Sequence, residues 1–156
     1  MRYSVKKYFK IVLAIYQIIG GSLGLYAFFT QSLFVWLSHF IIFTIIFSLF
    51  MFSLISGLSL LLNKSNGYSL TLTNQYLQTV KVLILGYGYE YYMGLPLHIG
   101  FTDTPKIRFF LGSKFVFSNY AFVYFNDRNF EISLVINIIP IIIIYLINNH
   151  IMTKGE

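Results

Sequence analysis

The sequence contains no cysteine, which excludes disulfides, thiolate metal sites and cysteine nucleophiles together. It also has little charge: 10% of its 156 residues are charged, whereas a soluble domain carries about a quarter. Hydrophobic residues make up 57% of the chain, and its mean hydropathy is +0.72. A chain with so few polar side chains cannot cover itself in water, so we expect membrane lipid or partner subunits to cover the rest.

Acidic residues are especially scarce, and 11 basic against 5 acidic side chains give a net charge of +6. Such a balance can indicate a nucleic acid or a membrane surface, and the positions of the bases distinguish the two. Four of them stand just before or within the start of an apolar run: Arg2, Lys6, Lys7 and Lys10. The others are scattered, without the basic stripe of a nucleic-acid interface, so we expect no nucleic-acid partner.

Two apolar runs near the N-terminus are long enough to cross a bilayer as helices. The first covers residues 8–29 and the second residues 33–62. The second holds no charged residue and, at about 1.5 Å per residue, would be about 45 Å long, so we expect it to tilt or kink. Residues 30–32 form the link. Residues 1–62 are therefore predicted to be an antiparallel transmembrane hairpin.

A third apolar run, residues 132–151, predicts a C-terminal transmembrane helix, followed by a short tail, within residues 131–156. Pro140 lies inside it and implies a kink or a helix start, because proline removes one backbone donor and clashes with the preceding turn. In the alternative, residues 130–136 are extended and the helix begins only around Asn137.

Residues 63–130 hold most of the charges, turn residues and tyrosines, and are predicted to be an extramembrane segment. Within residues 70–84, apolar side chains recur on one helix side and polar ones on the other, which predicts an amphipathic helix lying in the membrane interface. The apolar set is Leu70, Leu77, Val80 and Ile84, and the polar set is Thr71, Asn74, Gln75, Gln78 and Lys81.

Residues 86–130 are interrupted by glycines and prolines every few positions and are rich in aromatic and β-branched residues, which favours strands. We predict strands at residues 95–101, 106–111, 114–125 and 130–136, arranged as a meander. Gly112-Ser113 is the strongest hairpin signal, because glycine tolerates the positive φ of a two-residue turn. A competing interpretation makes residues 80–101 a fourth spanning helix, at the expense of placing charged residues in lipid.

The fold class that follows is an integral membrane α+β protein. Three transmembrane helices carry a β-rich, four-stranded meander and an interfacial amphipathic helix, both inserted between the second and third. The basic residues before the first helix and in the middle segment place the N-terminus and the β-rich segment on the cytoplasmic side. Residues with AT-rich codons dominate the composition, which points to a bacterial cytoplasmic membrane or an organellar inner membrane.

Small residues one helical turn apart occur in both N-terminal runs. Gly20 and Gly24 form a G-x-x-x-G motif in the first, and Ser53 and Gly57 repeat the spacing in the second. Small residues let helix backbones approach closely in a membrane. We expect these four residues to pack the hairpin of this chain; the alternative is that they pair separate copies.

The titratable residues give weak indications of a site. His39 lies in the second run, where an interfacial position accounts for it better than a functional one. His98, Glu90 and Asp103 show no recurrent ligand spacing, so a structural role is favoured over a metal or acid–base site. The glycines of residues 86–89 lack the third glycine and the following helix of a phosphate loop. We therefore predict no catalytic, cofactor-binding or metal-binding residue.

The small size, the absence of a chemical motif and the β-rich segment with few polar side chains predict a non-enzymatic multi-pass membrane protein. Its expected role is an accessory or structural subunit of a larger membrane protein complex. The alternative is a self-assembling membrane effector or channel whose β-rich segment senses a ligand. Its expected partners are membrane lipid and either other membrane subunits or further copies of itself.

Overall fold

The structure is a computed structural model of the chain that describes residues 2–32, 40–84, 87–93, 96–102, 108–113, 118–124 and 132–152. In these residues it has four helices and one antiparallel sheet, which confirms the predicted α+β class. The helices are α1 (Arg2–Ser32), α2 (Phe40–Leu61), α3 (Gly67–Thr79) and α4 (Ile138–Met152). The strands are β1 (Val80–Ile84), β2 (Tyr87–Met93), β3 (Leu97–Thr102), β4 (Arg108–Ser113), β5 (Ser118–Tyr124) and β6 (Ile132–Asn137).

The chain divides into two compact units. The first unit, Met1–Asn74 with Tyr145–Glu156, is helical, and the second, Gln75–Ile144, contains the sheet. The helical unit buries apolar side chains of α1 and α2: Leu13, Ala14, Phe28, Ile46, Phe50 and Leu60. The sheet unit buries Tyr91, Tyr92, Met93 and Val135. Because α3 and α4 each begin in one unit and end in the other, the chain passes between the units within helices.

Helices α1 and α2 pack against each other in opposite directions. Phe28 of α1 meets Phe43 of α2 edge to face, with ring centroids 5.5 Å apart. At the other end, the Lys10 ammonium donates a hydrogen bond to the Asn63 side chain just beyond α2. Late residues of α1 thus contact early residues of α2, so the pair is an antiparallel hairpin. Residues 30–32, predicted as the link, belong instead to the last turn of α1.

The end of α2 is set by a Schellman motif. Asn63 has a φ of 58°, in the left-handed region that asparagine tolerates better than most residues. Its amide donates to the carbonyl of Leu60, and the Lys64 amide donates to the carbonyl of Ser59. These two bonds satisfy carbonyls that would otherwise lack a partner at the helix end. The second predicted helix therefore ends at Leu61, one residue before its predicted end.

The six strands lie in the order β4-β3-β6-β1-β2-β5, and every neighbouring pair is antiparallel. The predicted meander is therefore wrong, because β6, the last strand in sequence, occupies the interior between β3 and β1. Residues predicted as the last turn of the interfacial helix form β1, and the competing fourth helix over residues 80–101 is wrong because β1, β2 and β3 occupy that range.

The predicted hairpin at Gly112-Ser113 is also wrong. Both residues belong to β4 and are paired with β3, Gly112 opposite His98 and Ser113 opposite Leu97. β4 and β5, which that turn would have joined as neighbours, are the two outermost strands of the sheet. A two-residue turn requires its flanking strands to pair with each other, and here pairing with β3 and β2 takes precedence over that local contact.

The C-terminal run changes from strand to helix at Asn137. Its side-chain oxygen accepts a hydrogen bond from the Ile139 amide, as an N-cap residue does, and another from the Leu97 amide. Pro140 falls in the first turn of α4, where a missing amide removes no helical bond. The extended alternative for residues 130–136 is confirmed over residues 132–136, and Pro140 marks a helix start and produces no kink.

Two helical segments, Lys7–Thr30 and Phe43–Leu61, have the length and apolar composition needed to cross a membrane. The apolar part of α4, Ile138–Asn149, is shorter. With 15 residues, α4 is about 22 Å long, compared with about 30 Å for the hydrocarbon core of a bilayer.

Candidate functional site

Polar side chains of α1, α2 and α3 meet in the interior of the helical unit. Gln17, Ser53 and Asn74 are each fully buried. The Asn74 amide donates to the Gln17 side-chain oxygen at 3.3 Å and to the Ser53 hydroxyl at 3.1 Å. The Ser53 hydroxyl in turn donates to the Gln17 backbone carbonyl at 3.2 Å. One asparagine therefore ties three helices together through hydrogen bonds, which we call the Asn74 cluster.

A second polar contact extends this interior along the same helices. The hydroxyls of Ser56 and Thr71 lie 3.3 Å apart and share a hydrogen bond, and both residues are fully buried. The side-chain nitrogen of Gln17 is buried without a hydrogen-bond partner among the described residues. The helical unit thus contains a polar interior whose members bond mainly to one another.

The polar side of α3 is buried, whereas an amphipathic helix in the membrane interface would expose it to water. Thr71, Asn74, Gln75 and Gln78 are offset by three, four and seven residues and share one side of the helix, and all four are buried. On the other side, Tyr76 and Leu77 are exposed. The spacing of the two sides is as predicted, but the protein buries the polar side, which a helix lying in the membrane interface would turn to water.

The predicted packing residues lie where α1 meets α2. A Cβ added at Gly24 would lie 2.1 Å from the Phe50 ring, and one added at Gly57 would lie 2.9 Å from the Ala14 carbonyl oxygen. Gly20 and Ser53 are buried as well, and Gly21, absent from the predicted set, faces Leu54. The helices approach so closely here that side chains are excluded at Gly24 and Gly57.

One face of the sheet carries polar side chains and is buried. Lys81 of β1 and Glu90 of β2 form an ion pair at 2.6 Å. His98 of β3 and Asn137 of β6 are opposite each other in the register, and both are buried. The His98 ring also meets the ring of Tyr92 edge to face at 5.5 Å.

These contacts do not bring the predicted titratable residues together as a catalytic site. Glu90 and His98 lie in β2 and β3, which β1 and β6 separate, and each contacts a different neighbour. The described part of the chain has no group of three His, Asp or Glu side chains that could hold a metal ion. Asp103, His39 and Gly86 lie outside the described residues, so their predicted roles stay predictions.

Across β4, β3, β6 and β1 the other face of the sheet is apolar and largely exposed, and we call this part the apolar face. Two rows of side chains cross β4, β3, β6 and β1 in register. The first row is Leu111, Ile99, Ile136 and Val80, and the second is Phe109, Phe101, Leu134 and Val82. Phe109 is 85% exposed, Leu111 70% and Ile99 48%. A soluble domain would turn these side chains inward.

The alternation in β6 shows the inversion most directly. Ile132, Leu134 and Ile136 are exposed, whereas Ser133, Val135 and Asn137 are buried. This two-residue period agrees with the strand predicted at residues 130–136, one of the two interpretations that the sequence allowed for this run. In β2, which pairs with β1, Tyr89 is partly buried; its hydroxyl donates to the Leu77 carbonyl at 2.8 Å, and burial raises the pKa of Tyr89 to about 12.

No protein-family model, curated protein or solved structure matches this chain. Its function is therefore argued from its own residues.

Gly57→Ala should destabilise the helical unit, because the new methyl group would press on the Ala14 carbonyl and on Ile18. Overpacking of this kind costs about 1–3 kcal/mol. Gly112→Ala is the control, since a Cβ there meets no atom within 4 Å. Thermal unfolding in detergent, followed by circular dichroism, should show a lower midpoint for Gly57→Ala alone. Equal midpoints for the two variants would contradict close helix packing at Gly57.

Asn74→Ala should destabilise the same unit by removing the donor to Gln17 and to Ser53. Leaving buried polar groups without partners costs about 1–3 kcal/mol. Thr73→Ala is the matched control on the next residue of α3, because the Thr73 hydroxyl is exposed and bonds only to the Ser69 carbonyl of its own helix. Denaturant titration in detergent measures the free energy of unfolding of both variants. A cost for Thr73→Ala as large as that for Asn74→Ala would argue against the Asn74 cluster.

Proposed function

We propose that the chain is a non-enzymatic, multi-pass membrane protein that serves as an accessory subunit of a larger membrane protein complex. The observation that carries the proposal is the inverted polarity of the sheet unit, in which His98, Ser133 and Asn137 are buried while Phe109 and Leu111 are exposed. Exposing apolar surface to water costs about 25 cal/mol per Å². Lipid or another membrane protein removes that cost.

In this proposal α1 and α2 anchor the chain by crossing the bilayer. Helix α1 exposes large side chains along one side: Val12, Ile15, Ile19, Leu23 and Tyr26. Its other side holds the small and polar residues that face the protein, among them Ala14, Gln17 and Gly24. Large apolar side chains toward lipid and small or polar ones toward a neighbouring helix are the arrangement expected of a membrane helix.

The number of crossings and the sidedness are part of the proposal. A third crossing by α4 requires the bilayer to thin locally, because α4 is about 8 Å shorter than the hydrocarbon core. Three crossings place the C-terminus outside, and two return it to the side of the N-terminus. In either case the basic residues before α1 favour a cytoplasmic N-terminus, in a bacterial cytoplasmic membrane or an organellar inner membrane.

A structural role is supported by the way the ionisable side chains of the sheet are used. The Glu90 carboxylate is held by Lys81, and the His98 ring is packed against Tyr92. Each of these groups makes a contact that stabilises the sheet, and none of the described contacts joins an acid to a base across a cleft. Binding to neighbouring membrane proteins needs only the exposed apolar surface.

The alternative, a self-assembling channel, requires polar side chains to line a water path between copies. The polar residues of α1 and α2 include Gln17 and Ser53, and these are buried and bonded within a single chain. The exposed side of α1 carries large apolar side chains with a serine, Ser22, among them, and the exposed Thr44 and Ser48 hydroxyls of α2 bond to carbonyls of their own helix. These observations support the accessory subunit over the channel.

The test is purification of the tagged full-length chain from its native membrane in a mild detergent. We expect a second membrane protein to co-purify in a constant ratio and to resist washing with high salt, since apolar contacts are not screened. An unrelated two-span protein with the same tag is the control. A stable monomer would contradict the proposal. An oligomer of this chain alone that makes liposomes leak ions would also contradict it, in favour of the channel.

A further inference from the structure

The apolar face is the largest feature of the sheet unit that the proposed function leaves without a specific occupant. Its eight register positions hold only valine, leucine, isoleucine and phenylalanine. Lys81 and Glu90 alternate onto the opposite face and pair with each other there. The side chains of these two rows offer a partner no hydrogen bond, and they suit an occupant that needs none.

Exposed apolar side chains also occur in the helices that adjoin the sheet in sequence. Helix α4 follows β6 without an intervening residue, and Ile141 and Ile142 in its first half are exposed. Helix α3 leads directly into β1, and Leu77 near its end is exposed as well. Exposed apolar side chains are therefore not confined to the sheet, which agrees with a continuous medium such as lipid as the occupant.

The charge pattern around β4 adds a second, independent argument. The most exposed side chains of the face, Phe109 and Leu111, stand in a sequence segment with a lysine on each side, Lys106 and Lys114. Apolar side chains flanked by bases are typical of segments that bind anionic membranes, where each base near the surface strengthens binding. If β4 instead paired with the β4 of a second copy, antiparallel and centred on Phe110, the basic residues at one end of each strand would lie opposite those at the other end of its partner. Like charges would then repel each other.

The open edges of the sheet limit how deep it can lie. Among the described residues, β4 is paired only with β3, and β5 only with β2. Unpaired backbone groups of an edge strand cannot enter the hydrocarbon core without losing their hydrogen bonds to water. The sheet can therefore rest on the bilayer with one face in it, but cannot be submerged.

We infer that the apolar face of the sheet lies flat on an anionic bilayer, with its side chains among the upper acyl chains and its strand edges among the headgroups. This deepens the proposed function and rests on its membrane location, because it names lipid as the occupant of a surface that a partner protein could also cover. The sheet unit is then a second membrane contact besides the spanning helices.

The absence of cysteine allows a direct test with single spin labels. Ile99→Cys and Leu111→Cys report on the apolar face, Ile19→Cys on the lipid-facing side of α1, and Ser65→Cys on an exposed polar position between α2 and α3. The labelled full chain is reconstituted into vesicles of phosphatidylcholine with phosphatidylglycerol. Electron paramagnetic resonance then measures collisions with oxygen, which concentrates in lipid, and with a water-soluble nickel complex.

We expect the oxygen-to-nickel collision ratio at Ile99 and Leu111 to be severalfold higher than at Ser65, and lower than at Ile19, as for a shallow position in lipid. Removing phosphatidylglycerol should lower the ratio at Leu111 and leave that at Ile19 unchanged. High nickel access at Ile99 and Leu111 would overturn the inference, and so would low access to both reagents, which means protein cover. Spin–spin broadening would identify that cover as a second copy. If only the label at Ile19 shows lipid contact, the inference about the apolar face fails but the proposed membrane location stands. If the label at Ile19 is accessible to the nickel complex in water, the proposed function itself is contradicted.

Discussion

A polar side chain in apolar surroundings is stabilised by a hydrogen-bond partner within the protein, and the arrangement of this chain depends on that constraint. Asn74 meets it most clearly, with one amide that bonds to α1 and to α2 and so holds three helices together. Gln17, Ser53, Ser56 and Thr71 complete the polar interior. In the proposed membrane location, lipid surrounds the exposed apolar side chains, so their exposure carries no cost. This reverses the polarity of a soluble domain.

The same constraint accounts for the sheet. Its buried face holds the Lys81–Glu90 ion pair, His98 and Asn137, each of which contacts a neighbour inside the unit. Across β4, β3, β6 and β1, its other face presents two rows of apolar side chains. Asn137 also caps α4, so a single buried side chain accepts a hydrogen bond from the Leu97 amide of β3 and another from the first turn of the following helix. In both units, therefore, buried polar side chains contact one another: across helices in the helical unit and across strands in the sheet unit.

Local patterns in the sequence predict the helices and strands better than they predict which of these elements pack or pair with each other. The length and composition of the first two runs, the two sides of α3 and the extended stretch before Pro140 could all be predicted, since each depends on neighbours a few residues away. The sheet order could not, because β6 reaches its central place through pairing with β1 and β3, which lie tens of residues earlier. The buried side of α3 could not either, since the outcome depends on whether water or lipid surrounds the helix.

The central claim is that lipid is the solvent for the exposed apolar surface. Extraction of native membranes with strongly alkaline sodium carbonate tests it most directly, because this treatment releases proteins held at the surface by charge and retains those embedded in the bilayer. We predict that the full-length chain stays in the membrane pellet and enters solution only with detergent. Recovery of the folded chain in the carbonate supernatant, without detergent, would contradict the account.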